Sequence, residues 1–427
     1  MVLDKIFNKK IIYLIYFIPL FMVAGPAIPD LIISFLSILF VIYCFIKKEF
    51  DLFKNNIIFF YLIFWIIIIL SSLNSDLKII SLKQSLFHVR FLIFALFLYL
   101  LIKNNRNFFK NFFPIILFTL ILVVFDGYYQ YFFDVNLFGF ERPYANQRLS
   151  GFFEDEWILG SYLVRILPIF LCIVILSPHR DNKLILIFLI LHGLLIFLSG
   201  ERSSFFLLLI FTSLILIFFN MRKIYKFSLI SIIILSPLIV ISINKNIKDR
   251  MFNQVLISLG VFEDIPSDGN IPRQIECCKI PKYLFSLGHS KHYEVGMRMF
   301  LDKPFLGHGL KSFRYKCHEF QIDIGCGSHP HNTYVQLLAE SGVFSFLMVF
   351  ILFLYFCYLL IKNYLNRINI DKNIYNARVC ILASFVMNLF PLVPTGSFFT
   401  NWLCIIYFFP LGMLFYLYDY PLHGKKN

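Results

Sequence analysis

Runs of roughly 16 to 22 apolar residues, almost free of charge, recur along the chain, and roughly that length carries a helix across a hydrocarbon core. About twelve can be delimited, at 11–26, 28–47, 57–73, 84–102, 112–131, 157–177, 183–199, 203–219, 226–244, 341–362, 376–393 and 401–419. With 59% hydrophobic and 15% charged residues, against roughly 25% charged in soluble domains, the chain cannot cover itself with polar surface. A closed β-barrel is excluded, because its strands are shorter and alternate apolar and polar side chains. The reading is an all-α integral membrane protein.

Lysine and arginine then orient the spans, since they concentrate in cytoplasmic loops. Lys5, Lys9 and Lys10, Lys47, Lys48 and Lys54, Lys103, Arg106 and Lys110, Arg180 and Lys183, Arg222, Lys223 and Lys226, Lys362, Arg367, Lys372 and Arg378, and finally Lys425 and Lys426 occupy every second loop. Both termini are thereby predicted cytoplasmic, and the loops at 132–156, 199–203, 245–340 and 394–400 face outward. The net charge of +14 is mostly this topological signal and does not point to nucleic acid. Lys9 and Lys10 precede the first run as in a signal peptide, but no small-residue cleavage site follows and Pro19 sits mid-run, which favours a retained helix.

No repeat relates the two halves, and the layout is lopsided. A nine-span bundle (1–244) precedes a long loop (245–340) and a three-span bundle (341–427), whereas transporters built on inverted repeats show matching halves. Within the loop, Glu263 to Pro281 reads as irregular. His289 to Asp302 mixes Tyr293, Val295, Met297, Phe300 and Leu301 with charge, as in a short amphipathic helix at the membrane surface. From His331 a helical pattern runs into the tenth span, placing His331 and Asn332 at a helix start that favours anions. Cys277 and Cys278 are adjacent; Cys317 and Cys326 flank a short segment, either as free thiols or as a disulfide permitted by an oxidising outer side.

Three outward clusters could carry chemistry. Arg148 lies in Arg148-Leu149-Ser150-Gly151, followed by Glu154, Asp155 and Glu156; its bland reading is an interfacial arginine, with the acids orienting it. Arg202 sits in Ser199-Gly200-Glu201-Arg202, squeezed between two spans, where an unpaired guanidinium is costly and functional placement is common. Diphosphate suits its planar fork, while a contact with Glu201 is the structural alternative. The third cluster is His329-Pro330-His331-Asn332, with Glu340 two turns on. A histidine there can deprotonate a hydroxyl, although an isolated outer histidine is more often surface. No metal-ligand spacing or nucleotide-binding glycine loop is present, so chemistry without metal or cofactor is expected.

The string from Ser328 to Gly342 resembles the signature of the O-antigen ligase and polymerase family. Pro304-Phe305-Leu306-Gly307-His308-Gly309 resembles that family's Pro-x-x-Gly-x-Gly segment, and Arg148 to Gly160 and Ser199 to Arg202 resemble its earlier blocks. The resemblance spans 140–345. It implies a GT-C-like membrane enzyme of the bacterial inner membrane with a periplasmic site. Such enzymes move a glycan from an undecaprenyl-diphosphate carrier to a sugar of lipid A-core, or in the polymerases to another lipid-linked glycan. It further implies that Arg202 grips the donor diphosphate and His331 activates the acceptor hydroxyl; Arg148 is a further candidate for the diphosphate, and Asn332, Glu340, Glu156 and His289 are candidates for support. The family's additional loop arginine has no counterpart; His289, Lys291 and His292 stand nearest, and Arg298 and Arg314 are substitutes ranked below Arg202. Two other classes compete: a transporter, against which the spans hold few ionisable residues beyond Arg90, Arg165 and His192, and a non-catalytic envelope scaffold.

Overall fold

The structure, a computed structural model, describes residues 9–142, 148–178, 182–253, 287–320 and 326–419. Glu263 to Pro281, Cys277, Cys278 and the topological charges Lys5, Arg180, Lys425 and Lys426 lie outside them. The described chain is nearly all helix, with a lone bridge between Val135 and Glu141 as its only β pairing. In chain order the helices are α1 (Lys9–Tyr16), α2 (Ile18–Phe21), α3 (Ala27–Lys47), α4 (Asn56–Leu73), α5 (Lys78–Phe87), α6 (Val89–Asn104), α7 (Phe108–Phe133) and α8 (Leu159–Leu176). There follow α9 (Asn182–Leu198), α10 (Arg202–Phe218), α11 (Lys223–Ile243), α12 (Lys245–Lys248), α13 (Leu287–Asp302), α14 (Phe313–Phe320), α15 (Thr333–Leu365), α16 (Lys372–Asn388) and α17 (Asn401–Asp419). Every apolar run thus carries helix, and 7 stretches are long and apolar enough to cross a membrane, α5 and α6 counting as one from Lys78 to Asn104. The first run is broken between α1 and α2 just before Pro19, whose ring forbids a continuous ladder.

α3 shows why the apolar pattern has no obvious period. Its buried residues Ile33, Leu36, Phe40 and Tyr43 face the bundle, yet Leu31, Phe35, Ile38, Ile42 and Phe45 on the opposite stripe are equally apolar and exposed. Such a sheath is tolerable only in lipid.

Between lipid-solvated helices burial of apolar area drives little, so close approach must supply the contact energy. α6 and α17 meet where Gly412 abuts the carbonyl of Ala95; a Cβ there would come to 2.6 Å from that oxygen. α8 lies at the centre, against α7, α9, α10, α16 and α17. α16 is buried from Ile374 to Asn388, which explains why a helix with Asn376, Arg378, Ser384 and Asn388 survives among apolar neighbours: Arg378 Nε and Nη2 donate to the carbonyl of Leu417 at 3.0 and 2.7 Å. Helices from both sides of the long loop share one core.

α13 is the expected amphipathic helix, with Met297 and Leu301 exposed on one side. It packs on α14 and α15, with Val295 and Met299 buried against Phe313, Cys317 and Ala339 in a small separate core.

Candidate active site

The site begins with a broken helix. Gly342 in α15 has φ 78° and ψ −178°, a backbone state that a side chain rarely adopts. A Cβ there would also overlap the carbonyl of Phe305. The segment 303–310 lies in the notch, and Gly307 has the same constraint, since its Cβ would fall 2.5 Å from the carbonyl carbon of Glu340. The break frees backbone groups that hydrocarbon could not satisfy, and the docked segment takes them up. His308 N donates to Ala339 O at 3.1 Å, Gly309 N to Glu340 O at 2.7 Å, and Val343 N to Pro304 O at 2.9 Å. This accounts physically for the two glycine-bearing motifs: each is the partner of the other.

Glu340, wholly buried, extends the arrangement. Its carboxylate accepts from Phe313 N at 3.2 Å and from Gln336 Nε2 at 2.9 Å, so one side chain fixes the loop that carries Lys311 and Arg314. Gln336 also holds Ser397 Oγ and Phe398 N at 2.8 Å. Together with the bond from Thr395 N to His331 O at 2.9 Å, these contacts strap the 391–398 loop onto the start of α15. Asn332 is consumed by that start. It caps Tyr334 N and Val335 N at 2.9 and 3.1 Å and donates to Pro391 O at 2.8 Å, so it serves the helix and does not line the cavity.

His331 precedes the cap at φ 56°, a left-handed conformation that costs a non-glycine residue on the order of 1 kcal/mol. Three imidazoles surround it, with ring centroids at 4.1 Å for His329, 5.0 Å for His292 and 5.5 Å for His289. Burial is the main reason these rings resist protonation. It holds His331 down at about 4, with His292 adding repulsion, and His289 at about 4, helped by His331, His292, Arg202 and Arg148. His329 lies at about 3 for the same reasons, with His331 its nearest repulsive neighbour. All three are neutral at pH 7, the form in which an imidazole accepts a proton.

The facing wall is built around Glu201. Its carboxylate accepts from Gly160 N at 2.6 Å, Ser161 N at 3.2 Å and Ser204 Oγ at 2.8 Å, satisfying orphan amides at the start of α8. Burial raises this carboxyl to about 7, against the hydrogen bonds that favour its charge. Leu149 N binds Ser199 O at 3.1 Å, and Arg250 Nε binds Gly200 O at 2.8 Å. The turn so clamped presents Arg202 as the first residue of α10. Glu201 is therefore not its ion-pair partner, and among the described residues the Arg202 guanidinium has neither an ion pair nor a hydrogen bond. Arg148 lies with its guanidinium carbon 4.8 Å from the Trp157 ring centre. Its loop is held by Gln130, whose Oε1 accepts from Ser150 N and Gly151 N at 2.9 and 2.8 Å.

The walls enclose a cavity of about 1900 Å³. It brings together Arg202, Arg148, Arg314, His331, His289, Glu340 and Glu156. Arg298 is not among its lining residues; it pairs with Glu294 at 2.7 Å along α13, which corrects its place among the diphosphate-binding candidates. Cys317 and Cys326 are joined as a disulfide, Cα atoms 5.4 Å apart, and link α14 to the segment that leads to His329 and His331. Arg165, expected among the span residues to lie near the outer site, lines the cavity, and so do Lys83, Lys311 and the 392–403 segment, unanticipated as site residues. For Lys83 no local sequence signal could have found them; for Lys311 its nearness to the Gly307-His308-Gly309 segment is such a signal.

Comparison with known families locates this geometry. Residues 186–350 match the O-antigen ligase family. The O-antigen ligase match covers Arg202, the docked 303–310 segment, His331, Glu340 and the break at Gly342, while Arg148, Lys83 and the 392–403 wall lie beyond it. It supports a membrane protein that handles lipid-linked glycans. No curated protein matches the chain.

Proposed function

We propose that the protein is an O-antigen ligase-type glycosyltransferase that moves a glycan from an undecaprenyl-diphosphate carrier to a sugar hydroxyl of lipid A-core. It works at the periplasmic face of the inner membrane, with twelve spans and cytoplasmic termini. The observation that carries this is the shared cavity, in which an arginine without a partner among the described residues and a neutral histidine line one space. Every cavity-lining segment, including those at 22–34, 79–90, 148–165, 201–206 and 392–403, falls at an end of the bundle that the lysine and arginine distribution assigns to the outside, which supports the topology.

In this reading His331 accepts the proton of the acceptor hydroxyl as its oxygen attacks the anomeric carbon. The bond from that carbon to the diphosphate oxygen breaks, and the departing diphosphate gathers charge beside Arg202 and Arg148. Fixed guanidinium groups oriented before substrate arrives stabilise that charge without reorganisation. A diphosphate bound nearby also opposes the repulsion and burial that weaken His331 as a base, so donor binding strengthens it.

The test is deletion of the gene in its host. The expected result is loss of glycan from lipid A-core with accumulation of full-length lipid-linked glycan. Accumulation of single repeat units would instead identify a polymerase, and unchanged attachment to lipid A-core would overturn the ligase reading.

A further inference from the structure

The cavity's cations fall into two groups. Arg202 and Arg148 act on His289. At the other pole, the charges that act on Lys311 are Arg314, Glu340, Lys83 and Arg90, and Arg314 also acts on His329. His331 touches both His289 and His329, so it stands between the poles. Within the second pole Arg90 is already satisfied, with Asp30 at 2.7 Å and Asn401 at 3.1 Å. Glu340 is spent on Phe313 N and Gln336. The side chains of Lys83, Lys311 and Arg314 line the cavity, exposed, with no hydrogen bond or ion pair to a described residue.

The placement of Lys311 is costly. At φ 63° it is one of the left-handed non-glycine residues; two others, Lys48 and Asp134, are helix C-caps, while Glu154, Lys311 and His331 all line the cavity. Strain of this kind persists only where surroundings impose it, and buried Glu340 does so by holding the adjoining backbone. The cavity, about 1900 Å³, also exceeds the roughly 300 to 1,000 Å³ that serves one small ligand.

We propose that Lys83, Lys311 and Arg314 form a second anion subsite that receives a phosphate group borne by the acceptor glycolipid, on the far side of His331 from the donor diphosphate. This rests on the transfer reading above. The two poles would hold donor and acceptor by separate charges and leave the reacting hydroxyl and anomeric carbon at the histidine between them.

The experiment uses the full chain in lipid nanodiscs with a polyprenyl-diphosphate glycan donor and two acceptors, a phosphorylated glycolipid and the same glycolipid after enzymatic dephosphorylation. Lys83→Ala, which lies on a different element from the strained loop, and Lys311→Ala with Arg314→Ala should each raise the acceptor KM at least about tenfold while leaving the donor KM within about twofold. Dephosphorylation should raise the wild-type acceptor KM to a similar degree and add nothing in the variants. A rise in the donor KM instead would assign these cations to the donor, and indifference to acceptor phosphate would overturn the subsite. Retained transfer in Arg202→Ala and His331→Ala would overturn the transfer reading itself, a separate outcome.

Discussion

Two arginines at opposite ends of the helix bundle are held in opposite ways. At one end Arg378 is buried, gives two hydrogen bonds to Leu417 O and lies 4.6 Å from the Tyr418 ring centre, while nearby Lys103 pairs with Asp419 at 2.7 Å. At the other, Arg202 sits half-buried with no partner among the described residues, and the side chains of Lys83, Lys311 and Arg314 line the same cavity likewise without one. Removing a cation from water costs several kcal/mol unless something repays it. Arg378 is repaid within the chain, so it belongs to the architecture. Arg202 finds no such repayment among the described residues, so a bound anion is what would repay it.

The contrast breaks most visibly if the two arginines respond alike to truncation. Arg202→Ala, and likewise His331→Ala, should cut transfer at least roughly a hundredfold, measured as product per folded molecule, with an unchanged melting temperature. Gly342→Ala should act on the fold instead, because the added Cβ overlaps Phe305 O in a left-handed backbone. A loss on the order of 3 kcal/mol is expected, read as failure to accumulate in the membrane. Arg378→Ala should lower thermal stability in detergent by about 2 kcal/mol, the scale of charged hydrogen bonds lost from a buried acceptor, with activity per folded molecule retained. An Arg378→Ala protein that folds normally but fails to transfer would reverse the comparison.

Acidity sharpens it further. A base whose folded pKa is depressed to about 4 stays neutral as pH falls through the ordinary histidine range. The acid limb of kcat/KM should therefore lie near 4 and move upward in kcat, where bound diphosphate favours the proton. Stability carries the corresponding sign. Between the unfolded histidine value and the folded values of about 4 for His289 and His331, the unfolded chain binds more protons, so stability falls as pH drops through that window and levels below it. The smallest effect belongs to Arg298→Ala, which removes an ion pair with Glu294 outside the cavity. Transfer should stay within about twofold, as for a partly exposed pair, and a large loss would place α13 in the donor site.

Legibility in the sequence followed the range of the interactions concerned. Apolar runs revealed the helices because lipid demands apolar side chains on every face, a local and repetitive requirement. The glycine motifs and His331 were visible for a related reason: Gly307 and Gly342 answer a backbone constraint that no other residue meets. Arg298 was misplaced because only the face of α13 turned toward Glu294 decides its role. Asn332 was placed correctly at a helix start, but its amide serves the cap.

By itself, then, the chain determined a lipid-embedded helical protein, the candidates Arg148, Arg202 and His331, and the glycine positions where backbone must meet backbone. Only the tertiary structure decided that α5, the 392–403 segment and the start of α10 would converge on one cavity, that Glu201 would turn to the amides of α8 and leave Arg202 unpaired among the described residues, and that Lys83 would face Lys311 across more than two hundred intervening residues. The reason is physical. Side-chain chemistry is written residue by residue, but whether a charge is satisfied depends on what the fold brings within hydrogen-bonding distance of it, and between helices in lipid that is set by packing shape, which no local pattern encodes.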